Sequence, residues 1–374
     1  MKVAHPRAEA HAGRDRALDG LRAVAVTVVM LLHTELPLGH AGSLGVDVFF
    51  VLSGYLITGL LTSEFDQVGR VRLGAFYIRR VRRLYPALIV LALAALPVLI
   101  GFGNHGRSPG LFNLPGLSAR GVVTGTGIAV AYLTDIGNVV GWGSARALAH
   151  TWSLSLEEHF YLLWPPLLAV ALMRRNAVRR VLGMLVVVLA AVVAVLVLTL
   201  GETRADGAPS LLSDPQLHVP GLFVGCALAL WPVRIRGRGV ALVALVALLV
   251  ALLFSPDPSH RNGQAGYFDV ALPAVWMLTA LLLGALETDR GLARRLLSLR
   301  PVAYVGLISY GIYLYHPVVI YVIDREVKAG RSVTASLGIG LSVLIAALSY
   351  HLIEAPIRQR GRRQITSGAP RTDS

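Results

Sequence analysis

The sequence predicts an all-α integral membrane protein, and three observations carry that expectation. Of its 374 residues, 55% are hydrophobic and only 15% charged, and the mean hydropathy of +0.64 lies outside the range of soluble globular chains. Apolar runs of about 20 residues, the length that crosses a bilayer, recur along most of the chain. Arginine clusters punctuate those runs, the pattern that orients helices in a membrane. Soluble parts are limited to loops and tails, because no polar stretch is long enough to bury a core of its own.

In chain order, residues 1–16 form a polar cytoplasmic tail carrying His5, Arg7, Arg14 and Arg16. The transmembrane domain covers 17–357, and a basic cytoplasmic tail, 358–374, follows with a polar end from 361 expected to be disordered. Spanning runs fall at 18–38, 44–63, 84–103, 152–173, 181–200, 215–232, 239–255, 268–287, 301–323 and 335–354. The first is not read as a cleaved signal peptide, since Arg22 interrupts it and a second run follows at once. Segment 121–140 is rich in Gly and Thr and ends in Asp135 and Asn138, and charge decides its place. The clusters at 70–83, 174–180, 234–238, 290–300 and 358–363 belong on the cytoplasmic side, so an even number of spans separates each from the next. Runs 84–103 and 152–173 already supply two, which makes 121–140 a re-entrant or surface-lying segment. The expectation is about ten transmembrane helices with both termini cytoplasmic. No internal repeat is visible between the two halves, which argues against inverted-repeat transporters.

The formal charge of +14 does not point to nucleic acid, because most arginines sit in short clusters between apolar runs. Anionic membrane lipids or a phosphorylated cofactor are the natural partners. A lone Cys226 excludes an intrachain disulfide and a cysteine-based metal site, and no metal is expected.

Chemistry is suggested by the polar residues within the apolar runs. Leu18 to Thr58 is interrupted by Arg22, His33 and Asp47, and an ionisable group at bilayer depth costs about 2.5 kcal/mol or more, which makes it a functional candidate. Arg22 and His33 lie eleven residues apart, close to three helical turns, so they share a face with the histidine about 16 Å further along. In Phe76-Tyr77-Ile78-Arg79-Arg80-Val81-Arg82-Arg83-Leu84-Tyr85-Pro86, Arg80 and Arg83 are three apart on one face. Their guanidinium forks suit phosphate oxygens, although topology alone also explains such a cluster. In His150 to Pro165, Glu157, Tyr161 and Trp164 fall at i, i+4 and i+7. A carboxylate inside a membrane is paired or protonated, and a histidine is its expected partner, so Glu157 and Asp47 are candidates to orient His33. Ser309, Tyr313 and His316 repeat the same spacing in the ninth helix, where Pro317 frees the carbonyl of Tyr313. Together these groups suggest transfer from a phosphorylated, membrane-impermeant donor. A histidine with a reference pKa of about 6.5 suits proton abstraction from a hydroxyl, and coenzyme A fits the donor description.

At these residues the chain resembles the membrane acyltransferases of acyltransferase family 3, which include bacterial surface-polysaccharide O-acetyltransferases and macrolide acyltransferases. The resemblance rests on Leu18-Asp19-Gly20-Leu21-Arg22 with His33, on Gly45 to Thr58, on Arg79-Arg80 to Arg83 with Pro86, and on Trp152-Ser153-Leu154-Ser155-Leu156-Glu157-Glu158. It continues in Ile308 to Pro317 and in Ile353-Glu354-Ala355-Pro356. What it implies is a ten-helix fold in the bacterial plasma membrane and transfer of an acyl group, acetyl by expectation, from acyl-CoA to a hydroxyl of a cell-surface sugar or a glycosylated natural product. His33 would be the catalytic histidine, with Glu157 and Asp47 beside it in the catalytic set. Arg22, Arg79, Arg80 and Arg83 would serve the acyl-CoA, and Ser53, Tyr313 and His316 the substrate. In two places the chain departs from the pattern. His218 stands seven residues before Gly225, where the family usually has arginine, and the chain ends soon after its tenth helix, without the fused hydrolase-like domain of some longer relatives. A competing expectation is a proton-coupled transporter or flippase using the same intramembrane groups, and a third is a non-catalytic partner in an envelope complex.

Overall fold

The computed structural model describes residues 15–34, 42–103, 118–173, 215–258, 266–327 and 329–360, with a few isolated positions at 181–188 and at 263. Among the described residues all regular structure is helical, as apolar segments must be where only intrahelical hydrogen bonds can satisfy the backbone. The helices are α1 (Arg16–Leu32), α2 (Leu44–Val68), α3 (Leu73–Gly103), α4 (Ala119–Val130), α5 (Thr134–Val140), α6 (Trp152–Leu172), α7 (Pro215–Leu230), α8 (Val240–Phe254), α9 (Leu272–Leu286), α10 (Leu292–Leu297), α11 (Arg300–Leu307), α12 (Ser309–Glu326) and α13 (Arg331–Ser349). A 3₁₀ segment, Gly143–Thr151, leads into α6, and π-helical turns precede α9 and follow α13.

Four described helical segments are long and apolar enough to cross a membrane, Leu44–Val68, Leu73–Gly101, Gly266–Leu286 and Arg331–Arg360. A fifth is the pair α11 and α12, bent by 70° at Ile308. The expected runs at 215–232 and 239–255 appear as the shorter apolar helices Leu217–Leu230 and Val240–Phe254. Most of the run 181–200 and the tails 1–14 and 361–374 lie outside the described residues. Segment 121–140 is two short helices, α4 and α5, broken around Tyr132, which takes a left-handed backbone with φ +54°. The first run stops earlier than its apolar pattern suggests. Helix α1 ends at Leu32, with His33 as its C-cap, and Thr34 turns its hydroxyl back onto the Leu31 carbonyl.

The arginine cluster at 79–83, expected on a helix face ahead of the third span, is part of α3, on the same continuous helix as the apolar run. Two prolines, Pro86 and Pro97, sit inside that helix.

Helix α2 is the hub, packing most extensively on α7 and also on α1, α6 and α9. Its contact with α7 is backbone to backbone. A Cβ on Gly54 would lie 1.9 Å from the Leu222 carbonyl oxygen, and one on Gly225 would lie 2.0 Å from that of Val51. Only glycine allows this approach, as small residues do at membrane helix crossings. Helix α6 is held to α2 by the Trp164 indole, which donates to Thr58 Oγ1 at 2.8 Å. Helix α12 is tied to α3 by two phenols, Tyr310 donating to the Leu84 carbonyl at 2.9 Å and Tyr315 to that of Ala87 at 3.2 Å. These ties bring α2, α3, α6 and α12 around one cleft.

Candidate active site

The cleft encloses about 750 Å³ of non-protein space, open solvent included, and is walled by α1, α2, α3, α6 and α12. Helical spacing explains which side chains meet there. Arg80 and Arg83 project from one face of α3, Glu157 and Tyr161 from one face of α6, and Ser53 from α2. Ser309, Tyr310 and Tyr313 enter from the first turns of α12, just past the 70° bend, and Arg22 enters from α1.

Glu157 is the carboxylate of the cleft. Ser53 donates to its Oε1 at 2.8 Å and Tyr161 to its Oε2 at 3.1 Å. The Arg80 guanidinium stacks on the Tyr161 ring with Cζ 3.3 Å from the centroid, a cation–π arrangement that fixes its plane. Its Nε and Nη2 are buried without a hydrogen-bond partner among the described residues. Buried polar atoms are nearly always paired, which marks these two nitrogens as candidate anion contacts. With Arg22 and Arg83, three guanidinium groups face one carboxylate across the lining, a surplus of positive charge suited to an anion. Arg22 also meets Asp19 at 3.4 Å on its own helix.

A second cluster lies behind the wall formed by Tyr313 and Ser153. The Ser153 hydroxyl meets the Tyr313 phenol at 2.5 Å, and that phenol donates to the His150 carbonyl at 2.7 Å. Beyond it are three imidazoles. His33 and His316 pack edge to face with centroids 4.7 Å apart and ring nitrogens 3.0 Å apart, and His150 lies 6.4 Å from His316. His150 Nε2 donates to the Leu314 carbonyl at 3.2 Å, and its Nδ1 is buried with no hydrogen-bond partner among the described residues. Among the described residues no group of three His, Cys, Asp or Glu side chains is arranged to hold an ion.

Apart from the exposed Arg79, the expected site residues fall into three groups. Arg22, Ser53, Arg80, Arg83, Glu157 and Tyr313 share the cleft, whereas His33 and His316 form a pair behind it. Asp47 belongs to neither. It is fully buried and accepts from His218 Nδ1, 3.0 Å from each carboxylate oxygen, and from the Trp276 indole at 2.8 Å.

Four expectations change on this geometry. Glu157 and Asp47 do not orient His33, because their hydrogen bonds run to Ser53 and Tyr161 and to His218 and Trp276. The imidazole partner of His33 is His316 instead. Arg79, expected at the donor with its neighbours, is exposed and outside the cleft lining, since one residue along a helix turns a side chain by about 100°. His316, expected to contact substrate, is fully buried against His33. His150 was missed as a site residue. It heads the polar and aromatic block of α6, but only the 3₁₀ segment before that helix turns it inward.

Arrangement and fold together define a helical membrane protein with a cationic cleft beside an imidazole pair, half-buried His33 against buried His316. The acyltransferase domain of acyltransferase family 3 matches residues 15–351, and the chain belongs to that family. Among curated relatives it is 30% identical over 360 residues to the peptidoglycan O-acetyltransferase OatA of Listeria monocytogenes, covering 92% of this chain and 56% of that protein. It is 29% identical over 376 residues to the putative peptidoglycan O-acetyltransferase YrhL of Bacillus subtilis, covering 93% and 56%. Against the O-acetyltransferase OatA of Staphylococcus aureus the figures are 29% over 363 residues, 92% and 57%. The chain spans a little over half the length of these relatives. No solved structure matches it. Family and helical architecture together identify a multi-pass bacterial membrane protein.

Proposed function

We propose that the protein is an O-acetyltransferase that moves an acetyl group from acetyl-CoA to a hydroxyl of a cell-surface glycan. The observation that carries this reading is the pair of unpartnered Arg80 nitrogens in a cleft with Arg22 and Arg83. A guanidinium fork held flat by an aromatic ring suits bidentate contact with phosphate oxygens, and the phosphates of coenzyme A are such a group. Its thin pantetheine arm would extend along the cleft past Ser309 and Tyr313 toward the histidines. The names of the relatives support a cell-wall glycan as acceptor over a small natural product, and they lend nothing to a transporter.

In this reading the acceptor hydroxyl gives its proton to His33 as its oxygen attacks the thioester carbonyl carbon, the C–S bond breaks, and His33 passes that proton to the leaving thiolate, returning to its neutral form. Glu157 keeps Ser53 and Tyr161 fixed and offsets part of the charge of Arg80, so the guanidinium stays in place before the donor arrives. The same reading includes ten spans with both termini cytoplasmic, which places the α3 arginines on the side where acyl-CoA resides.

The test is purified protein in lipid nanodiscs with radiolabelled acetyl-CoA and a glycan acceptor. Wild type should bind the donor and transfer label, Arg80→Ala should lose donor binding, and His33→Ala should bind but not transfer. Failure of the wild type to bind acetyl-CoA would overturn the donor assignment. Mass spectrometry of glycans from cells carrying wild type or His33→Ala would then name the acceptor by the missing acetyl mass.

A further inference from the structure

The hydrogen bonds around His33 determine where its proton sits. Its Nδ1 lies 2.8 Å from the Val29 carbonyl oxygen and 3.0 Å from His316 Nε2. A carbonyl oxygen only accepts, so His33 Nδ1 carries the hydrogen and its Nε2 carries the lone pair. The same reasoning applies one ring further on. His316 Nδ1 lies 2.9 Å from the Ile312 carbonyl oxygen, so that nitrogen is the donor, and Nε2 of neutral His316 is an acceptor. It faces His33 Nδ1–H. Two backbone carbonyls, one turn back on α1 and one turn back on α12, thus set both tautomers without any charged group.

We infer that His316 is a positioning residue for the transfer reaction: its Nε2 is a second acceptor for the Nδ1–H that the Val29 carbonyl already fixes, and it holds the His33 ring so that Nε2 is aimed as the base. This rests on the assignment of His33 as the base in the proposed function. The logic is that of a nucleophile, a base and a third group that orients the base, with an imidazole in the place more often held by a carboxylate. When His33 takes a proton on Nε2, its Nδ1–H becomes the donor of a charged hydrogen bond, which is stronger than the neutral one it replaces. His316 therefore contributes more after proton transfer than before it, and that difference accelerates the step. A neutral orienter also avoids burying a second charge, which is costly at this depth.

Glutamine and asparagine substitutions separate this role from simple packing. In His316→Gln the side-chain amide reaches the position of Nε2 and its oxygen can accept from His33. In His316→Asn the amide reaches only the position of Nδ1, so the contact is lost while size and polarity change little. The expected result is that His316→Asn lowers kcat about 100-fold, the lower end of what acid–base catalysis supplies. KM for the donor should stay within about threefold, and His316→Gln should recover at least a tenth of the wild-type rate. Nitrogen-15 NMR of histidine-labelled protein in nanodiscs without donor, assigned with His33→Asn, should show His33 as the Nδ1–H tautomer in all three proteins, with the Nδ1–H proton shift of wild type kept in His316→Gln and moved upfield in His316→Asn, where the second acceptor is lost. Equal rates for the Gln and Asn variants, or an unchanged Nδ1–H shift in His316→Asn, would overturn the inference. Because the NMR readout needs no donor, it tests the contact even if acetyl-CoA proves not to be the substrate. A wild type without transfer activity would count against the functional reading alone.

Discussion

Replacing Asp47 distinguishes chemistry from architecture at a residue whose sequence context suggests both. The carboxylate accepts from two buried donors, His218 Nδ1 and Trp276 Nε1, on α7 and α9. Asp47→Ala leaves both without an acceptor, at about 1–3 kcal/mol each, or about 2–6 kcal/mol in all. Asp47→Asn behaves differently. Its carbonyl oxygen keeps the Trp276 bond, and its amide can donate to His218 Nδ1 if that ring moves its proton to Nε2, which has no partner among the described residues. The count of hydrogen bonds is then preserved and only charge assistance is lost, about 1 kcal/mol per bond or about 2 kcal/mol in all. Thermal unfolding in detergent, followed by size-exclusion fluorescence, should place Asp47→Asn between wild type and Asp47→Ala. Transfer by folded Asp47→Asn should remain within about threefold of wild type. If Asp47→Asn unfolds like wild type yet abolishes transfer, Asp47 acts in the reaction and the structural account is wrong.

Further outcomes follow from the cleft and the helix crossings. Arg80→Lys keeps the charge but loses the planar stack on Tyr161, so KM for the anionic donor should rise about tenfold with little change in kcat, measured by initial rates. Gly225→Ala drives a methyl group against the Val51 carbonyl, and should destabilise by about 1–3 kcal/mol in a denaturant or thermal titration. Gly59→Ala, in the same α2 but with no atom within 4 Å of the added carbon, should stabilise by about 0.5–1 kcal/mol in that assay.

Much of this site could be read from spacing alone. Pairs at i, i+3 and i, i+4 within one helix, Arg80 with Arg83 and Glu157 with Tyr161, met as expected, because helix geometry fixes them before any packing occurs. Pairings between helices were less legible. Glu157 and Asp47 were natural partners for His33 by depth and charge, but depth places a residue along the bundle axis and says nothing about its angle around it. The Gly54 and Gly225 crossing turns Asp47 toward His218, while the Ile308 bend brings His316 to His33. The same limit applies to Arg79 and Arg80, adjacent in sequence and on opposite sides of the cleft wall. His218, which stood out only as a departure from an expected arginine, is explained by its contact with Asp47.

The bend at Ile308 has one more consequence. After it, α12 runs unbroken from Ser309 in the cleft to His316 beside His33, a rise of about 10 Å over seven residues. In the proposed reaction that helix would act as a ruler between the place where the anionic donor is held and the place where a proton is removed. A single residue inserted within it would rotate His316 by about 100° and lengthen the interval by about 1.5 Å. The spacing is therefore quantised in helical steps, and in the proposed reaction it sets one donor length that substitutions at either end cannot tune.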